Sequence, residues 1–328
     1  MAQYEEELAA AIQAVRAAAQ ICRAVQARLV TAETLEKKDK SPVTVADFAS
    51  QAVVCQQLQD AFPDDAVVGE EDSAALREGT QSVLRDAVVR EVTGSVPGTP
   101  GADDVLRWID RGGADASGGR YWTLDPIDGT KGFLRGQQYA VALGLIEAGE
   151  VVLGVLGCPN LPDSEGRPGA LFTAVRARGA AILPLTGEDL QGTPVHVSTL
   201  GSPGEARFCE SVESAHSNQG EAAEIAARLG IEREPYRIDS QCKYAAVARG
   251  DASIYLRMPT RKDYREKIWD HAAGKLVVEE AGGRVTDAFG AELDFRTGRT
   301  LEKNRGIVAT CGTIHDAVID AVRQVRGA

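Results

Sequence analysis

The stretch YWTLDPIDGTKGFLRG, residues 121–136, sets two carboxylates three residues apart at the end of an apolar run. Asp125 and Asp128 repel each other there, and the repulsion is useful only if cations offset it. Magnesium takes oxygen ligands in octahedral geometry at about 2.0–2.1 Å and keeps several waters. Pro126 fixes the backbone between the two acids, and the Ile127 carbonyl offers a further oxygen. Gly129 and Thr130 follow at once: a Gly-Thr step that opens a helix presents N–H groups suited to a phosphate, and the Thr130 hydroxyl could orient a water. In a two-metal site one ion lowers the pKa of that water and the other stabilises the leaving oxygen, so the chemistry is phosphoester hydrolysis. A bare D-x-x-D is more often a strand-end turn with an Asx-type cap. The longer string W-T-L-D-P-I-D-G-T-K-G-F is too particular for that reading.

Two further groups of acids are candidates on weaker grounds. Glu70, Glu71 and Asp72 follow the short apolar run AVVG, and an acidic cluster after a strand is usually solvated surface. Asp270 and His271 open WDHAAGKLVVEEAGG, where Asp270 could cap the helix and His271 could be a satisfied histidine near the core.

These residues need elements to carry them. Residues 4–30 repeat apolar positions at helical spacing, and ADFASQAVVCQQLQDAF reads as a second amphipathic helix with Asp47 in its first turn. Between them Pro42 and the lysine cluster mark a loop. Residues 93–120, rich in Gly, Pro and Asp, read as a long loop or insertion, with one helical turn at VLRW. YAVALGLIEAGEVVLGVLGCP predicts two strands joined by a hairpin at EAGE, and GALFTAVRARGAAILPL repeats the design. From VHVST onward helices and strands alternate. The expectation is an α+β part with an antiparallel sheet over residues 1–197, then a smaller α/β part over 198–328.

Composition bounds the partners. The 328 residues are 44% hydrophobic and 26% charged, enough for a sizeable core. A formal net charge of −12 argues against a nucleic acid polymer as partner but not against a small phosphorylated substrate met through metal ions. No uninterrupted apolar run reaches the roughly 20 residues of a bilayer span, and the N-terminus looks like neither a signal nor a transit peptide. No membrane partner and a cytoplasmic location are therefore expected. The six cysteines form no C-x-x-C pair, so idle thiols are expected rather than a zinc site.

Taken together, GEE, DPIDGT and WDHAAG resemble the three metal-site signatures of the inositol monophosphatase superfamily, the metal-dependent, lithium-sensitive phosphatases. SPVTVADFASQAVV, WTLDPIDGTKGFLRGQQYAVALGLI, LGCPNLP, ESVESAH, DSQCKYAAVARGDASIYLR and EKIWDHAAG are similar to its 3'(2'),5'-bisphosphate nucleotidase branch, over nearly the whole chain. The resemblance implies a layered αβαβα sandwich. It implies Glu70, Asp125, Asp128 and Asp270 as side-chain metal ligands with the Ile127 carbonyl, and Asp47 as the residue that helps activate water or hold a third ion. Thr130 would pair with an acid to orient the water, and Lys40 and Thr44 would lie in a loop near the metals. Gly129 and Thr130, with His216, Ser240, Lys243 and Arg257, would bind the nucleotide. A substrate with two phosphates needs cations beyond the metals, which suits Lys243 and Arg257; the bland alternatives are an ordinary surface arginine at 257 and a turn residue at 240.

The implied activity is removal of the 3'-phosphate of 3'-phosphoadenosine 5'-phosphate, and of its 5'-phosphosulfate analogue, with two or three Mg2+ ions and inhibition by Li+ and Na+. The implied enzyme is a monomer. Inositol polyphosphate 1-phosphatase is the nearest alternative, and a catalytically idle nucleotide sensor the alternative of another class.

Overall fold

A computed structural model describes residues 3–29, 41–212, 219–259, 261 and 263–327. Helix α1 (Glu5–Leu29) buries Ala11, Ala14, Val15, Ala18, Ala19, Cys22 and Val25, one stripe at spacings of three and four. By length and composition it is the one helix among the described residues long and apolar enough to cross a membrane, and 56% of its most apolar 18-residue window is buried inside the fold. Its partner α2 (Ser41–Ala61) begins earlier than the sequence suggests. Pro42 lies within its first turn instead of in a loop, since the N–H that proline lacks has no helical partner there. Asp47 is consequently in the second turn. Nor is α2 amphipathic: Val45 through Cys55 are all buried, because α1, the sheet and two further helices cover it from every side.

Strand β1 (Ala66–Gly69), a short helix α3 (Ala74–Arg77) and α4 (Ser82–Thr93) come next. The stretch expected as a loop holds a full helix, α5 (Ala102–Asp110). Asp104 accepts the Gly101 N–H at 2.9 Å to close its first turn, while Val105, Leu106 and Ile109 face inward. The Gly and Pro residues on either side obscured a helix that packing secures.

Strand β2 (Arg120–Asp128) leads through α6 (Thr130–Leu134) to β3 (Ala140–Glu147), β4 (Glu150–Pro162), β5 (Pro168–Val175), β6 (Ala180–Pro184) and β7 (Thr193–Val195). These form a seven-stranded sheet in chain order. It is antiparallel as expected except at one edge, where β1 runs parallel to β2. Both hairpins stand where EAGE and RARG mark them.

The rest of the chain adds β8 (Phe208–Glu210), α7 (Gln219–Leu229), β9 (Tyr236–Arg237), α8 (Cys242–Ala248), β10 (Ile254–Arg257), α9 (Ala272–Glu280), β11 (Arg284–Thr286), β12 (Ile307–Thr310) and α10 (His315–Arg326). The second sheet has the order β11-β12-β10-β8-β9. Helices α8 and α9 lie between the two sheets and touch both. With α1 and α2 outside the first sheet and α7 and α10 outside the second, the layers are αβαβα.

Candidate active site

Strand β2 delivers the central acids by breaking its own ladder. Asp125 lies opposite Ala142 and Asp128 opposite Ala140, three steps on β2 against two on β3. Pro126 has no N–H to give the ladder, so a one-residue bulge falls there. Side chains three apart on a regular strand point to opposite faces; the extra residue restores parity, and both acids line one cavity. The Ser50 hydroxyl of α2 donates to the Pro126 carbonyl at 3.0 Å and holds the bulge.

That cavity, of about 460 Å³, brings together Glu70, Asp125, Ile127, Asp128, Gly129, Thr130, Ser240, Lys243, Arg257 and Asp270. Gly129 has φ 92°, and a Cβ there would stand 2.7 Å from the Cβ of Ser240, so both conformation and space require glycine. Ser240 itself has φ 66°, a left-handed turn that lets its Oγ accept the Cys242 N–H at 3.2 Å. The Gln241 N–H donates to Asp128 Oδ2 at 2.6 Å.

Of the other expected residues, Asp47 lies outside the cavity wall, buried, within electrostatic reach of Glu71 and Glu70. The Thr130 hydroxyl makes no hydrogen bond to a described residue, so the expected pairing with an acid is not formed. Lys40 and His216 lie outside the described residues, and Thr44 is half-buried at the start of α2.

Glu70, Asp125 and Asp128 in the cavity, and Asp47 beside it, are all pushed above the ordinary carboxylate range. Loss of water, then Asp270, Glu71 and Asp128, push Glu70 up to about 8. Burial and then Asp270 push Asp128 up to about 6, against the pull of Lys243 and Arg257. Burial, then Glu70, Asp128 and Asp270, raise Asp125 well above the carboxylate range, and burial with Glu71 and Glu70 does the same to Asp47. Asp125 Oδ1 is buried with no hydrogen-bond partner, an oxygen that a divalent cation would satisfy. The donor set is all oxygen, which suits Mg2+ and not a soft metal.

A tighter trio is Glu266, Asp270 and His271, whose ligand atoms all lie within 4.8 Å of one another. Its members already have partners within the protein. Arg257 Nε stands 2.8 Å from Glu266 Oε2, its Nη2 3.0 Å from Asp270 Oδ2, and His271 joins Glu266 Oε2 at 3.0 Å and the Tyr244 hydroxyl at 2.8 Å. His271 is thus the satisfied core histidine of the plainer reading, and Arg257 is no ordinary surface arginine. Asp270 is shared between this network and the cavity. Lys243, 6% exposed, sends its Nζ to Ser211 Oγ at 3.3 Å and lies over the Tyr255 ring; burial lowers its pKa, with Asp128 opposing.

The sequence reading had not singled out Glu266, Gln241, Ser211, Tyr255 or the Arg135–Asp239 ion pair at the cavity mouth. All of them sit inside strings that carry the resemblance, and that was the available signal.

The model of the inositol monophosphatase family matches residues 3–326. The chain belongs to this family. A 3'(2'),5'-bisphosphate nucleotidase of Schizosaccharomyces pombe is 46% identical over 342 aligned residues, covering 98% of this chain and 96% of the relative. One of Oryza sativa is 46% identical over 345 residues, covering 98% and 94%. Among solved structures, an inositol monophosphatase from Anabaena superposes with a TM-score of 0.65 at 21% identity, covering 99% of this chain and 97% of that one. The Thermotoga maritima inositol monophosphatase gives 0.62 at 22%, covering 97% and 96%. At those identities the structures bear on the fold alone, which is that of the family. Family and relatives together make the chain an enzyme, a phosphohydrolase.

Proposed function

We propose that this phosphohydrolase removes the 3'-phosphate of 3'-phosphoadenosine 5'-phosphate, giving AMP, and acts likewise on the 5'-phosphosulfate analogue. The observation that carries the reading is one cavity whose lining holds Glu70, Asp125, Asp128 and Asp270 together with the cations Lys243 and Arg257. Two phosphates need two kinds of partner. Glu70, Asp125, Asp128, Asp270 and the Ile127 carbonyl would hold two or three Mg2+ ions, which when bound supply an acidified water and neutralise charge at phosphorus. Li+ and Na+ would compete there.

In the hydrolysis one water oxygen bonds to phosphorus and releases a proton to solvent, the P–O3' bond breaks, and the leaving oxygen takes a proton from solvent water to become a hydroxyl. Thr130 would orient that water, and Asp47, behind the cavity wall, would help activate it or hold a third ion. Gly129 gives its N–H to the transferred phosphate. Lys243 and Arg257 hold the phosphate that stays, with Ser240 and His216 on the nucleoside side. The names of the two relatives support the same substrate class.

Phosphate release with millimolar Mg2+, compared across this nucleotide, inositol 1,4-bisphosphate and inositol 1-phosphate, tests the reading. The nucleotide should have the highest kcat/KM. A clear preference for either inositol phosphate overturns the substrate.

A further inference from the structure

The metal-site acids come from turns far apart in the chain, and something must keep them in register. Glu70 follows β1, and Asp270 closes a single turn, Ile268–Asp270, ahead of α9. Arg299 stands between the two. Its Nη2 donates to the Gly69 carbonyl, next to Glu70, at 2.5 Å. Its Nη1 donates to the Ala114 carbonyl at 3.0 Å and reaches the Gly112 carbonyl at 3.4 Å. The same guanidinium lies over the ring of Trp269, next to Asp270, with 4.8 Å to the ring centroid. Backbone bonds fix its own segment to that side: the Ile268 N–H donates to the Arg299 carbonyl at 3.2 Å and the Leu301 N–H to the Glu266 carbonyl at 2.9 Å.

The far side of Glu70 is clamped too. Gln51 takes the Glu71 N–H at 3.1 Å and returns its amide to the Glu71 carbonyl at 2.6 Å and the Ile109 carbonyl at 2.8 Å. The chain before and after Glu70 is thereby held, while its carboxyl stays turned to the cavity.

We propose that Arg299 is a positioning residue of the metal site, setting the Glu70 turn at its working distance from the Asp270 turn. The proposal rests on the reading of those two acids as metal ligands. Arg299 is not among the residues that line the cavity, so it acts through backbone and ring and touches neither ion nor substrate. A planar fork that serves three carbonyls while stacking on an indole is a task lysine cannot reproduce.

The test compares Arg299→Lys and Arg299→Met with the wild-type chain. Mn2+ binding is titrated by electron paramagnetic resonance without substrate, beside circular dichroism, the Mg2+ concentration for half-activation, and the nucleotide KM at saturating Mg2+. Arg299→Lys keeps the stem and the charge and serves as the folded variant should Met unfold the chain. The Mn2+ dissociation constant and the Mg2+ half-activation should both rise about tenfold, as for other groups that orient metal ligands from behind. The KM should stay within about twofold. Unchanged Mn2+ affinity in a folded variant overturns the proposal, and so does a nucleotide KM that rises at saturating metal while metal affinity holds. A wild-type chain that binds Mn2+ but does not hydrolyse the bisphosphate sinks the substrate reading alone, because the Mn2+ comparison needs no substrate.

Discussion

Replacing Asp128 with Asn removes one anion from a cluster in which neighbouring carboxylates already raise the pKa values of Glu70 and Asp125. Turnover should fall about a thousandfold if Asp128 is a metal ligand, since a neutral amide replaces an anionic carboxylate there. The fold should not suffer. Without metal, the Asn variant should melt higher than the wild type at pH 8, because a repelling charge is gone. Steady-state kinetics and thermal melts check both, and wild-type-like kcat would contradict the metal assignment. Lys243→Ala should act differently. Losing a charge-assisted contact, worth about 1.5–3 kcal/mol, should raise KM at least about tenfold for the bisphosphate and far less for a monophosphate; equal rises would remove its role. At this scale the sequence pointed to side chains that the structure gathers in one cavity, Asp125, Asp128 and Lys243 among them. It was silent on Gln51 and Arg299, whose partners are mostly backbone carbonyls: a carbonyl has the same chemistry at every residue, and Gly69 is 230 positions from Arg299.

Among the elements, those with a strict period or a glycine turn were legible and those shaped by neighbours were not. The hairpin of β3 and β4 follows from alternating Val and Leu around EAGE. The all-round burial of α2 erases the periodicity by which its start would be read, and α5 hides between glycines. The bulge in β2 was written in Pro126, but its consequence for parity appears only once β3 is paired beside it.

Helix α10 carries a testable case of its own. Its His315 is 1% exposed and bridges two strands, with Nε2 2.9 Å from Thr286 Oγ1 and Nδ1 3.0 Å from Thr310 Oγ1. Burial and then Arg284 push its pKa down to about 4, with Asp316 opposing. The unfolded chain therefore takes up this proton near pH 6.5 and the folded chain only near pH 4, so the stability His315 contributes is present above pH 6.5 and drains away as pH falls through that window. His315→Gln should melt with a shallower pH dependence than the wild type between pH 6.5 and 4.5. Parallel curves would show that the histidine is not held neutral.

At the scale of the whole molecule, the proposed metal site stands where separate layers meet. Asp125 and Asp128 come from the first sheet, Lys243 from α8, Arg257 from the second sheet, and Asp270 from the turn before α9. Helix α9 leaves little slack between the sheets: a Cβ on Gly154 of β4 would stand 2.8 Å from the Ala273 carbonyl, and one on Gly274 would strike the Tyr244 ring of α8. One apolar cluster joins Leu156 and Phe172 of the first sheet to Leu276 and Val277 of α9 and Tyr255 and Ala309 of the second. Neither sheet can then melt without exposing the core of the other, and an ion that binds acids from both sides should stabilise the molecule as a unit. With Mg2+ at a hundred times its dissociation constant the gain is about 2.7 kcal/mol, or about 4 °C in Tm for a chain of this length. Calorimetry should show one transition, moved whole by Mg2+, and the Asp125→Asn variant should lose most of the shift. Two transitions of which the metal moves only one would mean that the acids do not tie the layers together.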